Sequence, residues 1–237
     1  MRMIGLIGGM SFESSVVYYR LINEAVRDTL GGLASAEIVM RSVDFSQIVA
    51  YQKAGRWDLA EKVLGDAAAA LERAGADCVL ICTNTMHLIA DAVAARISVP
   101  LIHIVDATAT AIKAAGFKRP LLLATRYTME HGFYTDRMRA LGLQPMVPSS
   151  EDRGTVHNVI FDELCAGHVK PASRAAYLEI IEKAKSEGAD CVILGCTEIC
   201  LLLDPASLCL PGFDSTAIHC AAAVDFSLAD QELKKIA

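Results

Sequence analysis

What the chain lacks narrows its chemistry before any residue is singled out. No apolar run reaches the roughly 18 residues that a membrane span needs, which argues against a transmembrane protein. The opening Met1-Arg2-Met3-Ile4 passes straight into a glycine turn, without the layout of a signal peptide. Lysines and arginines are scattered through a chain of formal net charge −6. There is no basic stripe to follow a nucleic acid and no basic amphipathic helix to lie on a membrane. Cys-x-x-Cys and His-x-x-x-His pairs are both missing, so no metal site is expected. The turn Gly5-Leu6-Ile7-Gly8-Gly9 is not Gly-x-Gly-x-x-Gly, and no Gly-Lys-Ser/Thr occurs, which speaks against a bound nucleotide. No low-complexity linker cuts the chain.

What is present is apolar for a water-exposed protein. Of the 237 residues 53% are hydrophobic, and the mean hydropathy is +0.36. Eight cysteines, Cys78, Cys82, Cys165, Cys191, Cys196, Cys200, Cys209 and Cys220, are an even count. A chain of this length seldom needs disulfide staples, and most of these thiols sit inside apolar runs where they pack as small hydrophobes. We read them as reduced and the compartment as the cytoplasm.

The chain also repeats itself. Residues 75–85 read Gly-Ala-Asp-Cys-Val-Leu-Ile-Cys-Thr-Asn-Thr, and residues 188–198 read Gly-Ala-Asp-Cys-Val-Ile-Leu-Gly-Cys-Thr-Glu. The two segments stand 113 residues apart and place Thr83 opposite Cys196. Residues 4–11 resemble 121–128 at an offset of 117, and 105–108 resemble 213–216 at 108. A period of half the chain is too long for a solenoid and fits a duplicated domain. Short Val/Ile/Leu runs at 4–7, 78–81, 101–104, 121–123 and 192–194 alternate with helical stretches at 58–73, 106–115 and 172–186. Continuous apolar strands between helices indicate parallel sheets covered on both faces. The predicted architecture is α/β, with two pseudosymmetric lobes, each a parallel sheet flanked by helices. The first lobe is set at 1–114, with 215–237 packing back on it, and the second at 115–214. The active site is placed in the cleft between the lobes, beyond the carboxyl ends of the strands.

Both repeated motifs run from a buried strand through a small polar turn into a helix, predicted at 88–95 and 199–203. Backbone N–H groups and the helix dipole at such a turn hold a carboxylate and lower the pKa of a thiol. Two such turns, one per lobe, supply an acid/base group to each side of a bound carbon. Cys196 read alone could be a buried thiol, and Thr83 a helix cap.

Gly8-Gly9-Met10-Ser11, Cys82-Thr83-Asn84-Thr85-Met86-His87 and Gly195-Cys196-Thr197-Glu198 together resemble the aspartate/glutamate racemase family, along essentially the whole chain. The resemblance implies a cofactor-independent isomerase with two α/β lobes, two cysteines as paired acid and base, and a homodimer. It further implies that Cys196 is the second of those cysteines and serves the L enantiomer. The position of the first, directly before Asn-Thr, is Thr83 here. Cys82 lies one residue earlier and points to the other face of an extended strand. The expected enzyme is therefore asymmetric. Cys196 thiolate removes the α-proton from L-aspartate or L-glutamate, and Thr83 donates or relays a proton on the other face. By the same likeness Met10 and Ser11 line the pocket.

The remaining substrate-binding candidates are Asn84, Thr85 and Thr197, which can cap helices with the same groups, and Thr125, Tyr127 and Thr128 as the second lobe's counterpart of Met10 and Ser11. Gln52 and Lys170 are candidates for the side-chain carboxylate, with Arg41 and Arg126 as further options. Glu198 either orients Cys196 or caps its helix. His87 and His103 read as structural. Two other readings stand beside the racemase. One is a single-cysteine decarboxylase or maleate-type isomerase of the same superfamily. The other is a non-catalytic binding protein for an acidic metabolite.

Overall fold

The computed structural model describes residues 1–236, with side chains as far as residue 229. Contacts divide the chain into two compact units, one of residues 1–103 and 219 onward, the other Ile104–Ile218. In order, the first contains β1 (Ile4–Gly8), α1 (Phe12–Leu30), β2 (Ile38–Ser42), α2 (Phe45–Lys53), α3 (Trp57–Arg73), β3 (Cys78–Ile81) and α4 (Ala90–Ala94). The second contains α5 (Ile104–Ala114), β4 (Pro120–Leu123), α6 (Arg126–Glu130), α7 (Phe133–Ala140) and α8 (Ser150–Asn158). It continues with α9 (Pro171–Ser186), β5 (Cys191–Leu194), α10 (Ile199–Leu202) and β6 (Gly212–Asp214). The last helix, α11 (Ser215–Ile236), begins in the second unit and returns to the first.

Each unit is built on a three-stranded parallel sheet, ordered β2-β1-β3 in the first and β4-β5-β6 in the second. This is the α/β architecture the alternating pattern predicted. Strand alternation sorts the first unit's side chains into two cores. Ile4, Leu6, Cys78, Leu80 and Cys82 pack with Tyr18, Ile22 and Val26 of α1 and with Cys220, Ala223 and Val224 of α11. Ile7, Val79 and Ile81 face the other way, onto Leu64, Ala67 and Leu71 of α3. With both faces covered, an unbroken apolar run is the sequence such a strand requires. In the second unit a core around β4 and β5 includes Tyr134 of α7 and Tyr177 and Ile181 of α9.

Register fixes the repeat. Ile4 pairs with Cys78 and Pro120 with Cys191, and the bridge from Val79 to Leu101 matches the pairing of Val192 with Gly212. The third likeness, of 105–108 to 213–216, is therefore three residues out of step. Leu101 answers Gly212, so His103 answers Asp214. The run at 101–104 contributes a single bridge at Leu101 before α5 starts at Ile104. The shared composition there was that of two helix starts.

The repeated aspartates are structural. Asp77 accepts the Met3 N–H at 2.6 Å, and Asp190 accepts those of Lys118 and Arg119 at 2.8 and 2.9 Å. In each unit the acid before one strand ties down the entry of its neighbour. All eight cysteines are free. Among the described residues no helix is long and apolar enough to cross a membrane, and no cluster of His, Cys, Asp and Glu could hold a metal ion.

Candidate functional site

The turn after β5 starts at Gly195, where a Cβ would stand 3.0 Å from the Cβ of Ala124 and 3.1 Å from the Leu123 carbonyl. Only glycine passes that close to β4. Cys196, Thr197 and Glu198 follow, each half-buried. The Cys196 thiol donates to Glu198 Oε2 at 2.8 Å, and the Thr197 hydroxyl donates to the same oxygen at 2.7 Å. Burial and then the Glu198 carboxylate push the Cys196 thiol well above its ordinary range. That corrects the lowered pKa expected from a helix start. The helix that follows is the four-residue α10, whose dipole is small, and a carboxylate two residues away outweighs it. At rest Cys196 holds its proton, shared with Glu198 in that hydrogen bond.

The matching turn follows β3. Cys82 is fully buried in the core under α1 and α11, as its strand parity requires, and burial raises its thiol pKa. Thr83 is half-buried, and both of its backbone polar groups are held. Its N–H donates to the Ile81 carbonyl at 2.8 Å, and its carbonyl accepts from His87 Nδ1 at 2.8 Å. Asn84 is buried and Thr85 half-buried. In place of the helix predicted at 88–95 the chain makes a 3₁₀ turn, Thr85–Ile89, and then the short α4.

Near this turn the structure brings several predicted residues together. Gln52 Nε2 lies 3.0 Å from the Met86 sulfur, and Met86 shares its core with Met10. Ser11 is the N-cap of α1, accepting the Ser14 N–H at 3.3 Å. Gly9, two residues earlier, has φ +94°, and a Cβ there would collide with the Val43 carbonyl.

In the second unit Thr125 occupies the N-cap position of α6, its hydroxyl lies 3.2 Å from that of the buried Thr128, and Tyr127 stacks on His131 at 5.2 Å. Lys170 is 3.2 Å from Glu163 Oε1, and Ser173 donates to Glu163 Oε2 at 2.5 Å. Those contacts hold the Glu163 carboxyl below its usual range. Glu163 ends a five-residue π-helical stretch, Val159–Glu163, a local widening of the helix that sequence periodicity does not signal. Sequence reasoning missed Glu163, because nothing in the chain links an acid to a lysine seven residues on. Arg41 and Arg126 are both exposed, the former donating to the Asp66 carbonyl at 3.2 Å.

Sequence and structure comparisons agree on the family. A model of the family described as Asp/Glu/Hydantoin racemase matches residues 7–223. The broad specificity amino-acid racemase RacX of Bacillus subtilis (strain 168) is 24% identical over 97% of this chain and 100% of its own. The crystal structure of a candidate Asp/Glu racemase from Yersinia pestis is 47% identical, with a TM-score of 0.92 over 96% of this chain and 100% of that one. That of an aspartate racemase homologue from Pyrococcus horikoshii OT3 is 34% identical, with a TM-score of 0.86 over 96% and 99%.

Proposed function

The chain belongs to the Asp/Glu/hydantoin racemase family, and from that premise we propose that it racemises an acidic amino acid, L-aspartate or L-glutamate, without a cofactor. The observation that carries the reading is the Cys196–Glu198 pair after β5, with Thr83 in the matched position after β3. Glu198 takes the thiol proton, and the thiolate so formed removes the α-proton from one face of the L substrate. The Thr83 hydroxyl delivers a proton to the opposite face and recovers one from water. The thiol is then restored, and Glu198 returns its proton to solvent, so the cycle closes on one proton lost and one gained at the α-carbon. A hydroxyl is a far weaker acid than a thiol, so Thr83 makes a poor resting base, and it slows the reaction in both directions because the two enantiomers are equal in energy.

The substrate's side-chain carboxylate is assigned to Gln52 and Lys170, the latter exchanging its Glu163 contact for substrate. Met10, Ser11, Asn84, Thr85, Thr125, Tyr127, Thr128 and Thr197 complete the proposed pocket. By family likeness we also infer a cytoplasmic homodimer, which sedimentation equilibrium tests. The hydroxyl at Thr83 favours one second reading, a single-cysteine decarboxylase or isomerase of the same superfamily. Incubation with a panel of L-amino acids in deuterated water separates the two. α-Deuteration with loss of optical rotation supports the racemase; inert amino acids, with turnover of a malonate or maleate, would transfer the assignment to the second reading.

A further inference from the structure

Behind Thr83 lies a buried cluster that the mechanism above does not use. His87, His103 and His219 are 3%, 7% and 0% exposed. The ring of His87 packs edge-on against His103 at 4.7 Å and against His219 at 5.6 Å. His219 Nε2 is 2.7 Å from the Ile102 carbonyl, which can only accept, so Nε2 carries the hydrogen. Its Nδ1 then accepts from the Tyr18 hydroxyl at 2.8 Å. The same logic puts the hydrogen of His87 on Nδ1, donated to the Thr83 carbonyl at 2.8 Å. Burial depresses the pKa of both His87 and His219, so the two rings are neutral and their tautomers are set by these partners.

The internal repeat shows that this cluster belongs to the Thr83 side alone. At the register fixed by the sheets, His87 answers Cys200 and His103 answers Asp214. In the second unit the Asp214 carboxylate and the Cys200 thiol are hydrogen-bonding neighbours, and that contact helps raise the thiol pKa. Tyr18 and Tyr134 are both fully buried, and where Tyr18 meets His219, Tyr134 lies near Thr108. One unit thus fills the layer under its reactive turn with imidazoles, and the other fills it with a thiol, a carboxylate and a hydroxyl. A duplicated scaffold has been specialised at the layer that supports each reactive side chain.

From this geometry, and resting on the racemase reading, we propose that His87 is a positioning residue for Thr83, braced by His103 and His219. With the Thr83 N–H fixed on Ile81 and its carbonyl fixed on His87, the Cα–Cβ direction is set, and the hydroxyl is left only its χ1 rotation. Without the His87 donor the Thr83 peptide can turn, and a displacement of even an ångström is costly to proton transfer.

The test uses the whole protein and three variants. His87→Leu removes the donor, His87→Gln carries it one bond too far, and His87→Asn keeps an N–H where Nδ1 stands. The expected result is a fall in kcat of roughly tenfold to a hundredfold for Leu and Gln, with KM little changed, and recovery to within about threefold for Asn. In a Thr83→Ala background His87→Leu should add less than about a twofold loss of α-deuterium exchange, because its effect is routed through Thr83. Equal losses with and without Thr83, or failure of Asn to restore kcat, would overturn the proposal. An unaltered protein that racemises no acidic amino acid defeats the racemase reading itself; racemisation that is indifferent to His87 defeats only this inference.

Discussion

At the scale of single residues, the proposed chemistry turns on how firmly Cys196 holds its proton. Burial and the Glu198 carboxylate raise its pKa, so at neutral pH the resting group is the thiol. Alkylation of Cys196 by iodoacetamide, followed by mass spectrometry to separate it from exposed Cys165 and Cys209, should accelerate only as the pH passes well above the ordinary thiol range. Glu198→Gln removes the neighbouring negative charge and should move that rise to lower pH, while lowering kcat because the proton acceptor is gone. An unshifted alkylation profile would break the link between the two side chains. Under the proposed mechanism, Thr83→Cys should speed racemisation of both enantiomers together, since L and D are equal in energy and kcat/KM must match in the two directions, read directly by polarimetry from either one. The correspondence of positions 83 and 196 was legible in the sequence because the repeat sets them 113 residues apart, the offset at which the sheet registers match. The direction of the thiol's pKa was not, since it depends on burial and on a side-chain rotamer at Glu198.

The elements were readable in proportion to how completely they are buried. β1, β3, β4 and β5 are buried along their whole length and stood out as unbroken apolar runs. β2 is partly exposed and ends in Arg41-Ser42, so no run marked it. The helix after Cys196 was read at 199–203 and stands at Ile199–Leu202, whereas the start of the one after Thr83 was misjudged in form, because a five-residue turn carries too little periodicity to separate 3₁₀ from α. Where an element ends against another, glycine carries the signal. Gly195→Ala would press a methyl onto Ala124 and the Leu123 carbonyl. We expect it to cost about 1–3 kcal/mol by overpacking, or roughly 2–4 °C in Tm for each kcal/mol. The larger effect should be on kcat, since Cys196 is the next residue. Unchanged Tm and unchanged kcat would show that the close approach is relieved at no cost.

For the molecule as a whole, the buried imidazoles set a limit in acid. Burial holds the pKa of His219 near 4, against an ordinary 6.5, and displaces His87 in the same direction. Below about pH 6.5 the unfolded chain binds protons on these rings that the folded one refuses. Stability is therefore intact above that pH and drains away as the pH falls toward 4, by roughly 1.4 kcal/mol per pH unit for each ring. Urea unfolding at pH 7.5, 6 and 5 should show that slope, and His219→Gln should flatten it; a constant midpoint across the range would refute it. The duplication behind this architecture was legible, because Gly-Ala-Asp-Cys recurs intact. The imidazole layer was not, because residues 87, 103 and 219 converge only once the last helix has come back to the first sheet.

That return has a consequence for synthesis. α11 covers one face of β1 and β3 with Cys220, Ala223 and Val224, so those strands are shielded by a helix made much later. While the chain is still emerging from the ribosome, the sheet of β1 and β3 has a bare apolar flank and must wait, exposed to chaperones or to neighbouring nascent chains, until α11 arrives. A stop codon before α11 should therefore leave an aggregating product in place of a shortened but otherwise sound protein.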